Sequence, residues 1–278
     1  MAEVLLTKRV EFAAAHRYHN NAWDAARNRA VFGPCNNEHG HGHNYLLEVT
    51  VAGEVDEKTG MVVNLYDLKK VLEQVLEEFD HKHLNLDTPY FKDRIPTTEN
   101  IVLVLWQVLA GYPMIGRLEQ VKLFEDEDLF AEVTRSMMGD LVGGRPQVRL
   151  TRRYHFSAAH RAHSIHLSEE ENRRVFGQRS RPDGHNYALS VTVRGQVDPE
   201  TGMLVGIPAL DRAVQDSVIS RLDHCDLNSD PDFAGRATTG ENLAVLIWDL
   251  LVKSIPGGRL EKIGLSQSRD LSFEYAGA

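Results

Sequence analysis

Leu47–Asn64 reads LEVTVAGEVDEKTGMVVN, and Leu189–Gly206 reads LSVTVRGQVDPETGMLVG. Eleven of these eighteen aligned positions are identical, so the 278-residue chain contains an internal repeat. The likeness extends upstream. Gly-His-Asn-Tyr stands at Gly42–Tyr45 and again at Gly184–Tyr187, and FAAAH at Phe12–His16 answers FSAAH at Phe156–His160. It extends downstream as well. Phe79-Asp80-His81 matches Leu222-Asp223-His224, Trp106 matches Trp248, and GRLEQVKL at Gly116–Leu123 matches GRLEKIGL at Gly258–Leu265. A repeat of about 140 residues is too long for a solenoid unit and long enough for a domain. The expected domains are residues 1–140 and 147–278. The junction falls in MGDLVGGRP at Met138–Pro146, which has a linker's glycine and proline.

Each copy carries the same pattern of elements. Val4–Ala14 and Tyr45–Ala52 alternate apolar and polar residues and predict strands. Asp67–Phe79 places Leu68, Val71, Leu72, Val75, Leu76 and Phe79 on one face of a helix. Thr98–Leu109 predicts a second helix, and its counterpart begins with the expected capping box Thr238–Glu241. Short strands near Gln120–Glu125 and Leu129–Val133 close the copy. The order strand, strand, helix, helix, strand, strand predicts an α+β fold, an antiparallel sheet with two helices on one face.

Composition narrows the function. A net charge of −9 argues against a nucleic-acid or anionic-membrane partner, which would want a basic face. No apolar run approaches the ~20 residues of a membrane span. The start, MAEVLLTKRVEF, lacks the charged and apolar regions of a signal peptide. Two cysteines make no disulfide framework, so a cytoplasmic protein with reduced thiols is expected.

The chemistry-bearing residues cluster in the first copy. His41 and His43 precede a strand at i, i+2 spacing, so both imidazoles share a face, and His16 ends the first strand. Three neutral imidazoles form a common catalytic zinc set. His39 offers a competing i, i+2 pair with His41; His41 and His43 are preferred because the second copy keeps His185 in the last position. Cys35 lies in a loop six residues before His41, and a thiol near zinc or a histidinium ionises more easily. Asp80 beside His81 can orient the imidazole and raise its basicity. Glu125 ends a strand, where its carboxylate either accepts hydrogen bonds from a guanidine-like edge or is solvated.

Taken together, FAAAHR, FGPCNNEHGHGHNY, GEVDEKTGMVVNLYDLKK, FDHKHLNLDTPYF, TTEN and VKLFE resemble the 6-pyruvoyl-tetrahydropterin synthase and 6-carboxytetrahydropterin synthase family over the whole first copy. The resemblance implies the T-fold, here duplicated in tandem, assembled as a homo-oligomer with active sites between subunits. It implies Zn2+ on His16, His41 and His43. Cys35, Asp80 and His81 would move protons, with Asp80 and His81 supplied by a neighbouring subunit. Glu125 would anchor the pterin, and Thr97 and Thr98 would line its pocket. Pro34 departs from the lysine that often precedes the cysteine in the family. The implied reaction is that of a carbon–oxygen lyase acting on phosphates. 7,8-Dihydroneopterin triphosphate would lose triphosphate and give 6-pyruvoyl-tetrahydropterin, as in tetrahydrobiopterin biosynthesis. The sister activity of the queuosine pathway also releases acetaldehyde. Its motif usually has three residues between cysteine and HGH, whereas Asn36–Gly40 makes five here, which favours the pyruvoyl type. A pterin- or metal-binding scaffold without catalysis is the alternative of another class.

The second copy is altered. Asp183 stands for His41, Arg179 is nearest to the place of Cys35, and Gln267 replaces Glu125, while His160, His185, Asp223 and His224 remain. A His-Asp-His set can bind zinc, but without the thiol and the acid the expected role is that of a scaffold.

Overall fold

Strand alternation carries one row of side chains inward: Phe12, Ala14 and His16 from the first strand, Tyr45, Leu47 and Val49 from the second. These are features of a computed structural model that describes residues 3–277. By its contacts the chain divides into two units. One runs to Leu150 and takes in Arg194–Gly206; the other comprises Thr151–Val193 and the chain from Ile207 onward.

In the first unit, β1 (Glu3–His16) and β2 (His41–Glu54) pair antiparallel, with Phe12 opposite Tyr45, Ala14 opposite His43 and His16 opposite His41. β2 pairs antiparallel with Arg117–Phe124, and that strand with Leu129–Thr134. The two residues Lys82–His83 add a short parallel pairing to β1. Helix Leu65–Leu76 starts at Asn64, whose side chain accepts the Tyr66 N–H, and buries Leu68, Val71, Leu72, Val75 and Leu76. It stops three residues before the expected end, because the N–H groups of Phe79 and Asp80 both turn back to the Leu76 carbonyl. Phe79 is still buried, edge-on to Phe12, which stacks on Tyr45 at 5.0 Å between ring centres. Each fully buried side chain of this size contributes roughly 1.5–3 kcal/mol before conformational entropy is counted. Helix Thr98–Leu109 forms as expected and packs on strands Arg117–Phe124 and Leu129–Thr134.

The second unit repeats this sheet in the spatial order Leu271–Tyr275, Arg259–Ser268, Asp183–Gly195, Val148–His160. Phe156 stacks on Tyr187, again at 5.0 Å. Its first long helix has one residue more than its counterpart between the leucine pair Leu68/Leu210 and the histidine pair His81/His224. A π turn at Gln215–Ile219 absorbs the extra residue. The second helix, Gly240–Leu251, is capped by Thr239, whose side chain accepts the Asn242 N–H. The expected box from Thr238 to Glu241 does not form, because the Thr238 hydroxyl donates to the Arg161 carbonyl at 2.6 Å. A capping box does form at Ser168–Glu171. Each copy is thus a four-stranded sheet with two helices on one face. Among the described residues, no helix is long and apolar enough to cross a membrane.

Candidate active site

The β1–β2 register brings His16, His41 and His43 to one end of the core-facing row, with their ligand atoms within 4.8 Å of one another. His39 lies before β2 begins and does not join them. His16 Nδ1 is 2.9 Å from the Pro96 carbonyl; donating there fixes the tautomer and leaves the Nε2 lone pair facing His41 Nε2 at 3.2 Å. Burial, then the neighbouring His41 and His43, lowers the His16 pKa to about 3, and burial lowers that of His41. Both rings are therefore neutral near pH 7, the state that ligates metal. His43 Nε2 is buried without a hydrogen-bond partner. An orphaned ring nitrogen facing two neutral imidazoles fits a metal ion. The close chain path depends on Gly40, at φ 73°, where a Cβ would stand 2.7 Å from the His16 carbonyl oxygen.

Glu125 ties this cluster to the helix Thr98–Leu109. It is buried, its Oε1 lies 3.5 Å from His43 Nε2, and its Oε2 accepts from the Thr98 hydroxyl and from Tyr18 Oη at 3.4 Å. Burial raises its pKa, and the His43 charge and these hydrogen bonds oppose the rise. Tyr18 also accepts the Thr98 N–H and meets the His16 ring edge-on at 5.0 Å. Cys35 sits in a 3-10 turn, Gly33–Asn36, with its carbonyl accepting the Tyr18 N–H at 2.9 Å. Burial, then Glu125, pushes its thiol up to about 11, the opposite direction from the easier ionisation expected from sequence. A cation held by the three imidazoles would act against that shift.

Thr97 caps the helix and is fully buried. Its hydroxyl accepts the Asn100 N–H at 3.2 Å and donates to the Gly202 carbonyl at 2.5 Å. Two residues on, Leu204 N–H donates to Glu99 Oε1 at 2.8 Å, and Met203 joins the apolar cluster of Tyr18, Phe32 and Ile95 against which Cys35 packs. Tyr18, Glu99 and the turn before Leu204 were not singled out from sequence. The aromatic after FAAAHR was the available signal for Tyr18; a turn that matches Asp56–Met61 in sequence offered none for its different surroundings.

Asp80 and His81 stand apart from the cluster, beside β1. Asp80 Oδ1 accepts the Ala13 N–H at 2.8 Å and its Oδ2 lies 2.9 Å from His81 Nδ1. His81 adopts φ 55°, its N–H donates to the Ala13 carbonyl, and its side chain is 83% exposed. Asp223 and His224 repeat this geometry, at φ 57° and 2.9 Å, with Ser157 in place of Ala13.

The model of the 6-pyruvoyl tetrahydropterin synthase family matches residues 5–136 and again 149–278. The chain is 44% identical over 124 residues to human 6-pyruvoyl tetrahydrobiopterin synthase, covering 44% of this chain and 86% of that protein. It is 39% identical over 129 residues to the Dictyostelium discoideum enzyme of the same name, covering 46% and 93%. The solved structure of 6-pyruvoyl tetrahydropterin synthase from Caenorhabditis elegans aligns with a TM-score of 0.46 at 36% identity, covering 48% of this chain and 96% of that one. Matched in both of its copies, the chain belongs to the 6-pyruvoyl tetrahydropterin synthase family, as a tandem pair of T-fold domains.

Proposed function

We propose that the chain converts 7,8-dihydroneopterin triphosphate to 6-pyruvoyl-tetrahydropterin with loss of triphosphate, at a zinc-dependent site in residues 1–140. It is an enzyme of a lyase family acting on pterin phosphates. The observation that carries the reading is the 3.5 Å approach of His43 to Glu125, which joins three convergent imidazoles to a buried carboxylate in one cluster. His16, His41 and His43 would hold Zn2+, which when bound supplies a Lewis acid for the substrate's side-chain oxygens. Glu125, positioned by Thr98 and Tyr18, accepts from the N–H edge of the aminopyrimidine. Thr97 sets the start of that helix, so its part is to place Thr98. Cys35 exchanges protons with the substrate side chain, and Asp80 holds His81 as the second proton-transfer group. A cleft of about 500 Å³ is lined by Arg17, Lys92 and Arg94 together with Glu38, Asp93 and Glu200, and Arg17 Nε, buried without a partner, is the donor open to a phosphate oxygen there. Both cysteines are unpaired, in keeping with a cytoplasmic enzyme.

The same reading has the chain act as a homo-oligomer in which the exposed Asp80 and His81 complete a site on a second copy. A contrast in burial supports it. Glu99 is 3% exposed and Met203 7%, whereas Glu241 is exposed and Met61 is 40% exposed. A second copy's turn Asp56–Val62 can seal Glu241 and Thr239 as Asp198–Leu204 seals Glu99 and Thr97. Light scattering should find an oligomer that Glu241→Lys weakens; a wild-type monomer with full activity would sink this part.

The decisive experiment is mass spectrometry of products after incubation with dihydroneopterin triphosphate. Triphosphate and 6-pyruvoyl-tetrahydropterin are expected. Acetaldehyde would mean the 6-carboxytetrahydropterin activity, and no turnover by metal-loaded protein would overturn the assignment.

A further inference from the structure

The altered copy contains a second cluster of ligand-type side chains. His160, Asp183 and His185 place one ligand atom each within 4.8 Å of one another. Asp183 opens the strand Asp183–Gly195 as His41 opens β2, so Asp183 and His185 share a face at i, i+2 spacing. His160 is buried, and its Nδ1 lies 2.6 Å from the Thr238 carbonyl, as His16 Nδ1 lies against Pro96. That contact turns His160 Nε2 toward Asp183 Oδ1, 3.3 Å away. His185 Nε2 is buried without a hydrogen-bond partner and stands 3.5 Å from Asp183 Oδ2. Two ring nitrogens and a carboxylate thus converge, and the outer partner that orients the first of them is kept.

The substitutions also compensate one another. In the first copy three imidazoles face one another, and a carboxylate, Glu125, stands 3.5 Å from His43 Nε2. In the second copy the carboxylate has moved into the ligand set as Asp183. The place of Glu125 is taken by a neutral, buried Gln267, whose Nε2 is 3.5 Å from His160 Nε2. Each imidazole cluster therefore has one carboxylate within 3.5 Å of its ring nitrogens. A decaying site would lose a histidine to any residue and keep or lose the acid independently. Here a ligand-type residue replaces a ligand while the nearby acid is neutralised.

We infer that the second copy binds a divalent transition-metal ion of its own, on His160, Asp183 and His185. Two imidazoles and one carboxylate suit Zn2+, Mn2+ and Fe2+, and the harder oxygen donor shifts this site toward Mn2+ and Fe2+ relative to the all-imidazole one. With Arg179 at the place of Cys35, the site holds its metal without the proton-transfer group proposed for the first copy. The inference stands apart from the reaction proposed above, because it is read from metal content.

The test uses the full chain, loaded with Zn2+ or Mn2+, freed of excess ion and measured for metal per chain. Wild-type protein should hold two ions. The double variant His16→Ala/His43→Ala should keep one, and adding Asp183→Asn to that variant should weaken the remaining site by about tenfold or more, at least the loss typical of a changed outer partner. If the double variant fails to fold, wild type is compared with Asp183→Asn alone, and the count should fall from two to one. A folded double variant that holds no ion overturns the inference, as does a wild-type count of one that Asp183→Asn leaves unchanged.

Discussion

Thr97 and Thr239 cap the same helix in the two copies, and Glu99 and Glu241 occupy the same place in its first turn. Yet Glu99 is sealed and Glu241 faces solvent. The two Asp-x-x-Thr-Gly-Met turns close with the same internal hydrogen bonds, Asp56 to Met61 and Asp198 to Met203. Of the two, the second turn bonds Thr97 through Gly202 and Glu99 through Leu204, and its Met203 joins the apolar cluster beside Cys35. Equal local sequence has therefore produced equal local backbone, and the difference in environment comes from what each turn covers. The copy that carries the thiol is the one whose helix start is buried, desolvated and fixed.

The largest effect that can break this comparison is catalytic. Cys35→Ala should lower turnover by about 10²–10⁴-fold while metal and fold persist, the range of a lost proton-transfer group. Arg179→Ala, or His160→Ala with His185→Ala, should leave pterin turnover intact in assembled protein. Comparable losses from both copies in a steady-state assay would mean that the second shares the chemistry.

A smaller effect comes from Glu99, which burial pushes up to about 7 from an ordinary 4.5. Below pH 4.5 both folded and unfolded chains are protonated there and the group costs nothing. As pH rises to about 7 the unfolded chain ionises first, so the folded state loses up to about 3 kcal/mol, and the loss levels off above that. Glu99→Gln keeps an acceptor for the Leu204 N–H and should raise the melting temperature at pH 8 but not at pH 4.5. Glu241→Gln should change neither. Equal shifts in both variants across that range would remove the contrast in burial.

The smallest expected difference lies in the caps. Thr239→Ala should cost about 1 kcal/mol, the usual loss of an N-cap. Thr97→Ala should cost roughly twice that, since the buried Gly202 carbonyl also loses its donor. Urea unfolding of the two variants measures the gap.

The strand pattern made the imidazole cluster legible, because alternation fixes which histidines share a face. His39 satisfies the same alternation with His41 and is set aside only because the second copy keeps His185 in the last position. The buried row of the helix Leu65–Leu76 was legible as a stripe at Leu68, Val71, Leu72 and Val75. Helix Ala25–Phe32 was not, since it buries only Asn28 and Phe32 and is held by Asp24 and by the Asn28 amide bonds to the carbonyls of Asn20, Trp23 and Asp24. The direction of the Cys35 shift also escaped, because desolvation depends on the apolar neighbours Tyr18, Phe32, Ile95 and Met203, which sequence spacing does not bring together. Thr238 misled for a related reason, its hydroxyl being drawn to Arg161 across the fold.

The π turn at Gln215–Ile219 bears on how a duplicated enzyme can drift. An extra residue in a regular helix would rotate everything beyond it by about 100°, carrying Asp223 and His224 away from the Ser157 backbone that they bond. Widening one turn confines that rotation to five residues, and the Asp–His pair keeps the backbone angles and hydrogen bonds of its counterpart. The helix works as an expansion joint. Length changes upstream are absorbed before they reach the sheet edge, so deleting one residue within Gln215–Ile219 should restore a regular helix and leave His224 where it stands.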